Sequence, residues 1–178
     1  MKKLLITKLS ATAVIALLSQ TAFAADGTIN FFGEIVDAPC SISPNSQVMT
    51  VPLGKVSRTT LDGGAGKKAT PARFNIELLN CGASAKGATL TFNGTTDTTV
   101  TDNLRVGVGE TAGGAATGVA IELGDSAGTK IPVGSESTQY TLVQGDNPLK
   151  FQAVYVSTAD KVTVGTGNAT AQFTVNYK

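Results

Sequence analysis

Cys40 and Cys81 are the only thiols in the 178-residue chain, and they are its most reactive side chains. A thiolate can attack, bind metal or oxidise to a disulfide. Two cysteines are too few for a four-cysteine metal site, and the Cys-x-x-Cys spacing of a redox motif is absent. Histidine is absent altogether. Its absence removes the commonest general base near neutral pH and the commonest metal ligand. Ser-His and Cys-His nucleophile systems are excluded with it. Asp62, Asp97, Asp102 and Glu110 sit in loop-like stretches without a base or nucleophile pattern, and read as solvated surface. Gly63-Gly64-Ala65-Gly66-Lys67-Lys68 resembles a phosphate loop but lacks its full spacing and the Ser/Thr directly after the lysine, so it reads as a surface loop. No catalytic, metal-binding or cofactor-binding residue is therefore assigned, and an enzyme is not expected. Charged residues are 15% of the chain and mixed in sign, which excludes a nucleic-acid surface.

The elements that position these residues begin after a processing segment. Met1-Lys2-Lys3 and Lys8 make a basic start, an apolar run spans residues 9–18, and Ala22-Phe23-Ala24 closes it. This is the pattern of a secretory signal peptide, 1–24, with cleavage after Ala24 or one residue later. The run is too short to be read as a membrane anchor. Cleavage removes three lysines and leaves 154 residues, 11 basic and 13 acidic, for a net charge of −2. The precursor's charge of +1 thus points to no anionic partner. Export also bears on the cysteines. In an oxidising compartment a single pair is expected to form one disulfide, closing a loop of about 40 residues. Chain entropy alone assigns such a loop roughly 4 kcal/mol.

The mature chain reads as short strands. The full chain's 20 glycines and 25 threonines argue against long helices, and period-two alternation recurs. Strands are expected at 28–31, 47–51, 73–78, 89–92, 104–108, 119–123, around Tyr140 and Leu142, at 149–156 and at 169–177. Asn93-Gly94 reads as a tight turn. The glycine-rich stretches 62–66 and 113–118 read as loops. Asn93-Gly94-Thr95 and Asn168-Ala169-Thr170 match a glycosylation pattern by chance. Seven to nine strands with Gly/Asn/Asp/Ser turns give an antiparallel sandwich or a small barrel.

Both ends carry an unsolved problem of burial. Gly27, Ile29 and Phe31 alternate on one face of residues 25–33, with no turn strong enough to fold that segment into a hairpin. The final strand, with Ala171, Phe173, Val175 and Tyr177 on one face, leaves an apolar edge that a lone copy would not cover. A polymer in which one copy's N-terminal segment completes the next copy's sandwich would solve both problems.

The residues carry a resemblance along nearly the whole mature chain. Gly27-Thr28-Ile29-Asn30-Phe31-Phe32-Gly33-Glu34-Ile35-Val36, Ala38-Pro39-Cys40 and Val51-Pro52-Leu53-Gly54 appear in that order. Phe74-Asn75-Ile76-Glu77-Leu78-Leu79-Asn80-Cys81, Leu90-Thr91-Phe92-Asn93-Gly94 and Gly118-Val119-Ala120-Ile121 follow. Phe151-Gln152-Ala153-Val154-Tyr155 and Ala171-Gln172-Phe173-Thr174-Val175-Asn176-Tyr177 close the series. Together they resemble the major structural subunits of type 1-like fimbriae of Gram-negative bacteria, assembled by the chaperone–usher route. The resemblance implies an all-β, incomplete immunoglobulin-like sandwich lacking its last strand and completed by donor-strand exchange. It implies a donor extension over 25–35 with Gly27, Ile29 and Phe31 as its knobs, and a pilin body over 36–178. Phe173, Val175, Tyr177 and the carboxylate of Lys178 would form the groove edge and the chaperone's docking site. The implied partners are neighbouring copies of the chain, a periplasmic chaperone, an outer-membrane usher and tip subunits, with no cofactor and no nucleic acid. The implied product is the shaft of a surface fimbria that supports attachment; a minor pilin or tip adaptor is the alternative.

Overall fold

Alternating apolar side chains build eight strands among the described residues of the computed structural model, which are 26–35, 38–109 and 114–178. The expected signal peptide and Glu110 lie outside them. The chain divides into two units, residues 1–36 and 37–178. In the first, residues 26–35 form neither strand nor helix. Ile29, Phe31, Phe32 and Ile35 are all exposed there.

Among the described residues, every element lies in the second unit. β1 (Ser41–Ile42) is followed by two single-turn helices, α1 (Pro44–Gln47) and α2 (Arg58–Leu61). Then come β2 (Ala72–Cys81), β3 (Gly87–Gly94), β4 (Leu104–Arg105), β5 (Val119–Asp125), β6 (Tyr140–Thr141), β7 (Gly145–Ser157) and β8 (Ala171–Tyr177). One sheet has the order β1-β2-β7-β5-β4, the other β6-β3-β8, and all named pairings are antiparallel. The fold is an all-β, incomplete immunoglobulin-like sandwich.

Register follows from alternation, because a one-residue slip would turn an entire apolar set outward. Phe74 pairs with Phe151 and Ile76 with Leu149 across β2 and β7. Leu90 pairs with Val175 and Phe92 with Phe173 across β3 and β8. The two inner faces meet in one core, where the Phe92 and Phe151 rings lie edge to face at 5.2 Å. β5 is buried on both faces. Its outward Glu122 is neutralised by Lys68 at 2.6 Å, which extends from the 66–69 segment paired alongside β7.

Several local expectations are corrected. No strand forms at 28–31 or 47–51. Gln47 instead closes α1, and 48–57 runs without a ladder. Alternation identifies an apolar face, but a strand also needs a hydrogen-bonding neighbour. The expected strand at 104–108 shortens to β4 and gives way before Gly107, whose φ is +73°. Asn93-Gly94 is no hairpin turn: both residues stay in the ladder, opposite Gln172 and Ala171. A Cβ at Gly94 would come within 2.9 Å of the Thr170 carbonyl oxygen, so glycine is required by close approach rather than by a turn.

Candidate functional site

The open feature of the molecule is one edge of β8. This strand hydrogen-bonds to β3 on one side and to no strand on the other. Across the gap lies the 46–58 segment, itself without a ladder. Between these two walls the core is uncovered. A cavity of about 220 Å³ is walled by Met49, Val51 and Leu53 on one side and Ala169, Ala171 and Phe173 on the other. Its floor is core: Phe74, Ile76, Phe92, Ile121 and Leu123. Further cavities continue along the same cleft, about 630 Å³ beside Ser46–Met49 and about 500 Å³ beside Met49–Gly54. A fourth, of about 530 Å³, lies beyond Gly54.

Four bonds brace the ends of the groove. Cys40 and Cys81 are disulfide-bonded at 2.10 Å, tying the start of the unit to the end of β2. A bulge between Leu78 and Cys81 re-aims that strand. Asn80 takes the left-handed conformation there, with φ +53°, and its N–H donates to the Asp146 carboxylate at 3.0 Å. The Tyr177 hydroxyl donates to the Cys40 carbonyl at 3.3 Å, so the end of β8 is fastened to the same disulfide. At the other end Tyr155, on β7, donates its hydroxyl to the Gly167 carbonyl at 2.9 Å. A Cβ at Gly167 would fall within 2.8 Å of that ring, so only glycine lets the wall approach it. Burial raises the pKa of both Tyr155 and Tyr177, keeping both hydroxyls protonated donors.

What the groove can do chemically is bind an extended apolar segment. It offers a row of unpaired backbone groups along β8 and a file of apolar cavities beside it. Among the described residues no cluster of three side chains could hold a metal ion.

Residues 29–178 match the Fimbrial protein family. The chain belongs to that family. Long polar fimbria protein A of Salmonella typhimurium is 38% identical to this fimbrial chain over 172 residues, covering 94% of each. The probable major fimbrial subunit LpfA of Escherichia coli O157:H7 is likewise 38% identical over 172 residues, again covering 94% of each. Among solved structures, the P pilus rod subunit PapA superposes with a TM-score of 0.64 at 32% identity. That likeness covers 79% of this chain and 100% of the other.

In this fimbrial protein the residues singled out from sequence fall into three places. Phe173, Val175 and Tyr177 are half-buried on the core face of β8, along the groove. Lys178 continues that wall: its N–H donates to the Gly87 carbonyl at 2.8 Å, and its ammonium pairs with Glu136 at 3.0 Å. Gly27, Ile29 and Phe31 lie in the other unit, with Ile29 78% and Phe31 89% exposed. Sequence reasoning missed the opposite wall. Met49 and Val51 carry a usable signal, since they alternate within the strand expected at 47–51, although nothing pairs there; Leu53 lies beyond that strand. The acids read as solvated are partly structural. Asp62 accepts the Val162 N–H at 2.8 Å, beside the groove, and Asp97 accepts those of Thr99 and Val100 at 2.9 and 3.0 Å.

Proposed function

We infer that this chain is a structural subunit of a chaperone–usher fimbria, exported to the cell surface and polymerised into the pilus shaft. It is a building block and not an enzyme. The observation that carries the reading is the open groove beside β8 in a chain whose relatives are major fimbrial subunits. A cleft that uncovers core residues on a soluble body needs an occupant, because exposed apolar surface of this kind drives association. Residues 25–33 of a neighbouring copy supply one. Ile29 and Phe31 project the same way, about 7 Å apart along an extended strand. Each contributes about 1.5–3 kcal/mol when buried. Gly27, on the same face, fits where the groove is shallow.

Before exchange the groove is covered by a periplasmic chaperone, whose contact includes the Phe173–Val175–Tyr177 face and the end of the chain at Lys178. An outer-membrane usher then hands the subunit to the growing shaft, with other subunits at the tip. The signal peptide 1–24, the extension 25–35 and the body 36–178 are the domains this scheme requires.

The test is Phe31→Asp. A carboxylate at that position would be buried unpaired in the acceptor groove. The variant is expected to accumulate as a normal chaperone-bound subunit and to build no filaments, read by electron microscopy of surface preparations. Filaments of normal length would overturn the donor assignment.

A further inference from the structure

The groove wall opposite β8 carries a side chain whose chemistry recurs nowhere else in the mature sequence. The chain has two methionines, Met1 and Met49, and Met1 leaves with the expected signal peptide. Met49 is then the one thioether that remains. Neither thiol competes with it for an oxidant, because Cys40 and Cys81 are bonded to each other and buried. Tryptophan is absent. We propose that Met49 is an oxidation site that sorts subunits: its sulfoxide forms while the groove is open and then hinders the filling of the groove. The proposal rests on the reading that assembly fills this groove, and adds a modification that decides which copies assemble.

Its position supports this. Met49 stays 36% exposed although it lies beside the core residues of the groove floor. It lines the central cavity of about 220 Å³, the cavity of about 630 Å³ beside Ser46 and the cavity of about 500 Å³ that runs to Gly54. Thr170, on the other wall, is the one other residue that lines all three. Met49 and Thr170 therefore mark the waist where these cavities meet, and whatever fills the cleft along its length passes between them. The backbone at Met49 belongs to the 48–57 stretch that has no ladder, so no adjacent strand flanks it. A flexible, polarizable thioether suits such a waist, because it adapts to the shape that packs against it.

Oxidation changes the waist without cutting the chain. The oxidant class is a peroxide, with hydrogen peroxide the simplest. The Met49 sulfur gives an electron pair to one peroxide oxygen; the S–O bond forms, the O–O bond breaks, and water leaves with both peroxide protons. Sulfur is oxidised by two electrons and the peroxide is reduced by two. The product is a polar, chiral sulfoxide with an acceptor oxygen. In the open groove water hydrates that oxygen. In a filled groove it faces Val51, Leu53, Ala171 and Phe173. The one side-chain donor lining the central cavity belongs to Thr170, an exposed residue, so the buried part of the cavity offers the sulfoxide no side-chain partner. Burying a polar group without a partner is unfavourable. An oxidised copy therefore folds but assembles poorly, and a copy already in a filament is shielded from the oxidant.

Hydrogen peroxide is the probe, applied to the unassembled mature subunit and to filaments. Peptide masses are expected to show a gain of about 16 Da at Met49, one oxygen, about tenfold faster in the unassembled subunit. Equal rates in the two states would overturn the proposal. The oxidised subunit should keep its circular dichroism spectrum and polymerise about tenfold more slowly, the scale of burying one unpartnered polar group. Treatment with methionine sulfoxide reductases for both epimers should restore the rate. An unchanged rate after oxidation, or a slow rate that reduction leaves slow, would overturn it. Met49→Leu keeps the volume and the apolar character, and should polymerise alike with and without peroxide. Slowing of this variant by peroxide would place the damage elsewhere and overturn the assignment; if the variant does not fold, the reductase arm decides alone. Phe31→Asp separates the two levels of the argument. If it assembles normally while Met49 is shielded in filaments, the donor assignment falls and Met49 stands. If it blocks assembly while Met49 oxidises equally in both states, only the Met49 proposal falls.

Discussion

Tyr177 joins three features through one hydroxyl. It ends β8, donates to the Cys40 carbonyl and thereby couples the groove wall to the disulfide. Tyr177→Phe removes that bond and is expected to cost about 0.5–1.5 kcal/mol in a denaturant melt, without loss of the fold. Cys81→Ser removes a covalent tie from a small exported domain and should deplete the periplasmic subunit before any filament appears. The intact oxidised subunit should weigh about 2 Da less than its reduced form, one hydrogen lost from each thiol. Tyr140 and Asp125 contribute to the pH limits, alongside Tyr155 and Tyr177 on the alkaline side and Glu136 on the acid side. Burial, then the charge of Asp125, raises Tyr140 to about 12. Its neutral form is thus favoured by folding, and that contribution is complete below pH 10 and lost as pH rises toward about 12. Desolvation pushes the Asp125 carboxyl up, but hydrogen bonds from Thr129, Ala127 and Gly128 outweigh it and leave the pKa below 3.8. Its contribution is complete above pH 3.8 and fades as pH falls through the lower folded value. Tyr140→Phe should flatten the alkaline limb of a stability–pH profile, and Asp125→Ala the acid limb.

At the scale of elements, β8 is a strand with half its hydrogen bonding unmet. It pairs with β3 over seven residue positions, 171–177, and presents its other edge to the groove. A chain end held this way frays unless something covers it. Deleting residues 176–178 removes the Tyr177 tie, the Lys178–Gly87 bond and the Lys178–Glu136 pair together. The truncated subunit is expected to be absent from chaperone co-purifications. Normal recovery would count against docking on this strand. Amide exchange along β8 should be fast in the free subunit and slow in the filament, because the groove-side N–H groups gain partners only on assembly.

At the scale of the whole molecule, the body presents an open groove beside β8 that a single copy leaves unfilled. The body lacks a strand, and the proposed function has the N-terminal segment of another copy supply it. Any ligand that binds only the folded form stabilises it by mass action, about 2.7 kcal/mol at a hundredfold excess over Kd. A synthetic peptide of residues 26–35 added to the mature subunit should therefore raise its Tm. The same peptide with Phe31→Asp should not. A rise with both peptides would mean that charge and backbone, and not the knobs, carry the binding.

The sequence by itself determined the strands that alternate strongly. Phe74, Ile76 and Leu78, or Phe173, Val175 and Tyr177, declare a buried face because period-two patterning has few other solutions. Absent histidine excluded whole classes of chemistry, and the cysteine pair in an exported chain pointed to one bridge. Local pattern could not decide what pairs with what. Residues 47–51 alternate as well as many true strands, yet have no ladder, because pairing depends on a neighbour distant in sequence. Asn93-Gly94 has the composition of a turn, but its ladder partners are Gln172 and Ala171, some eighty residues on. The groove itself is a tertiary fact. It exists only where the 46–58 and 162–174 segments pass each other without a ladder between them, and no window of sequence contains both.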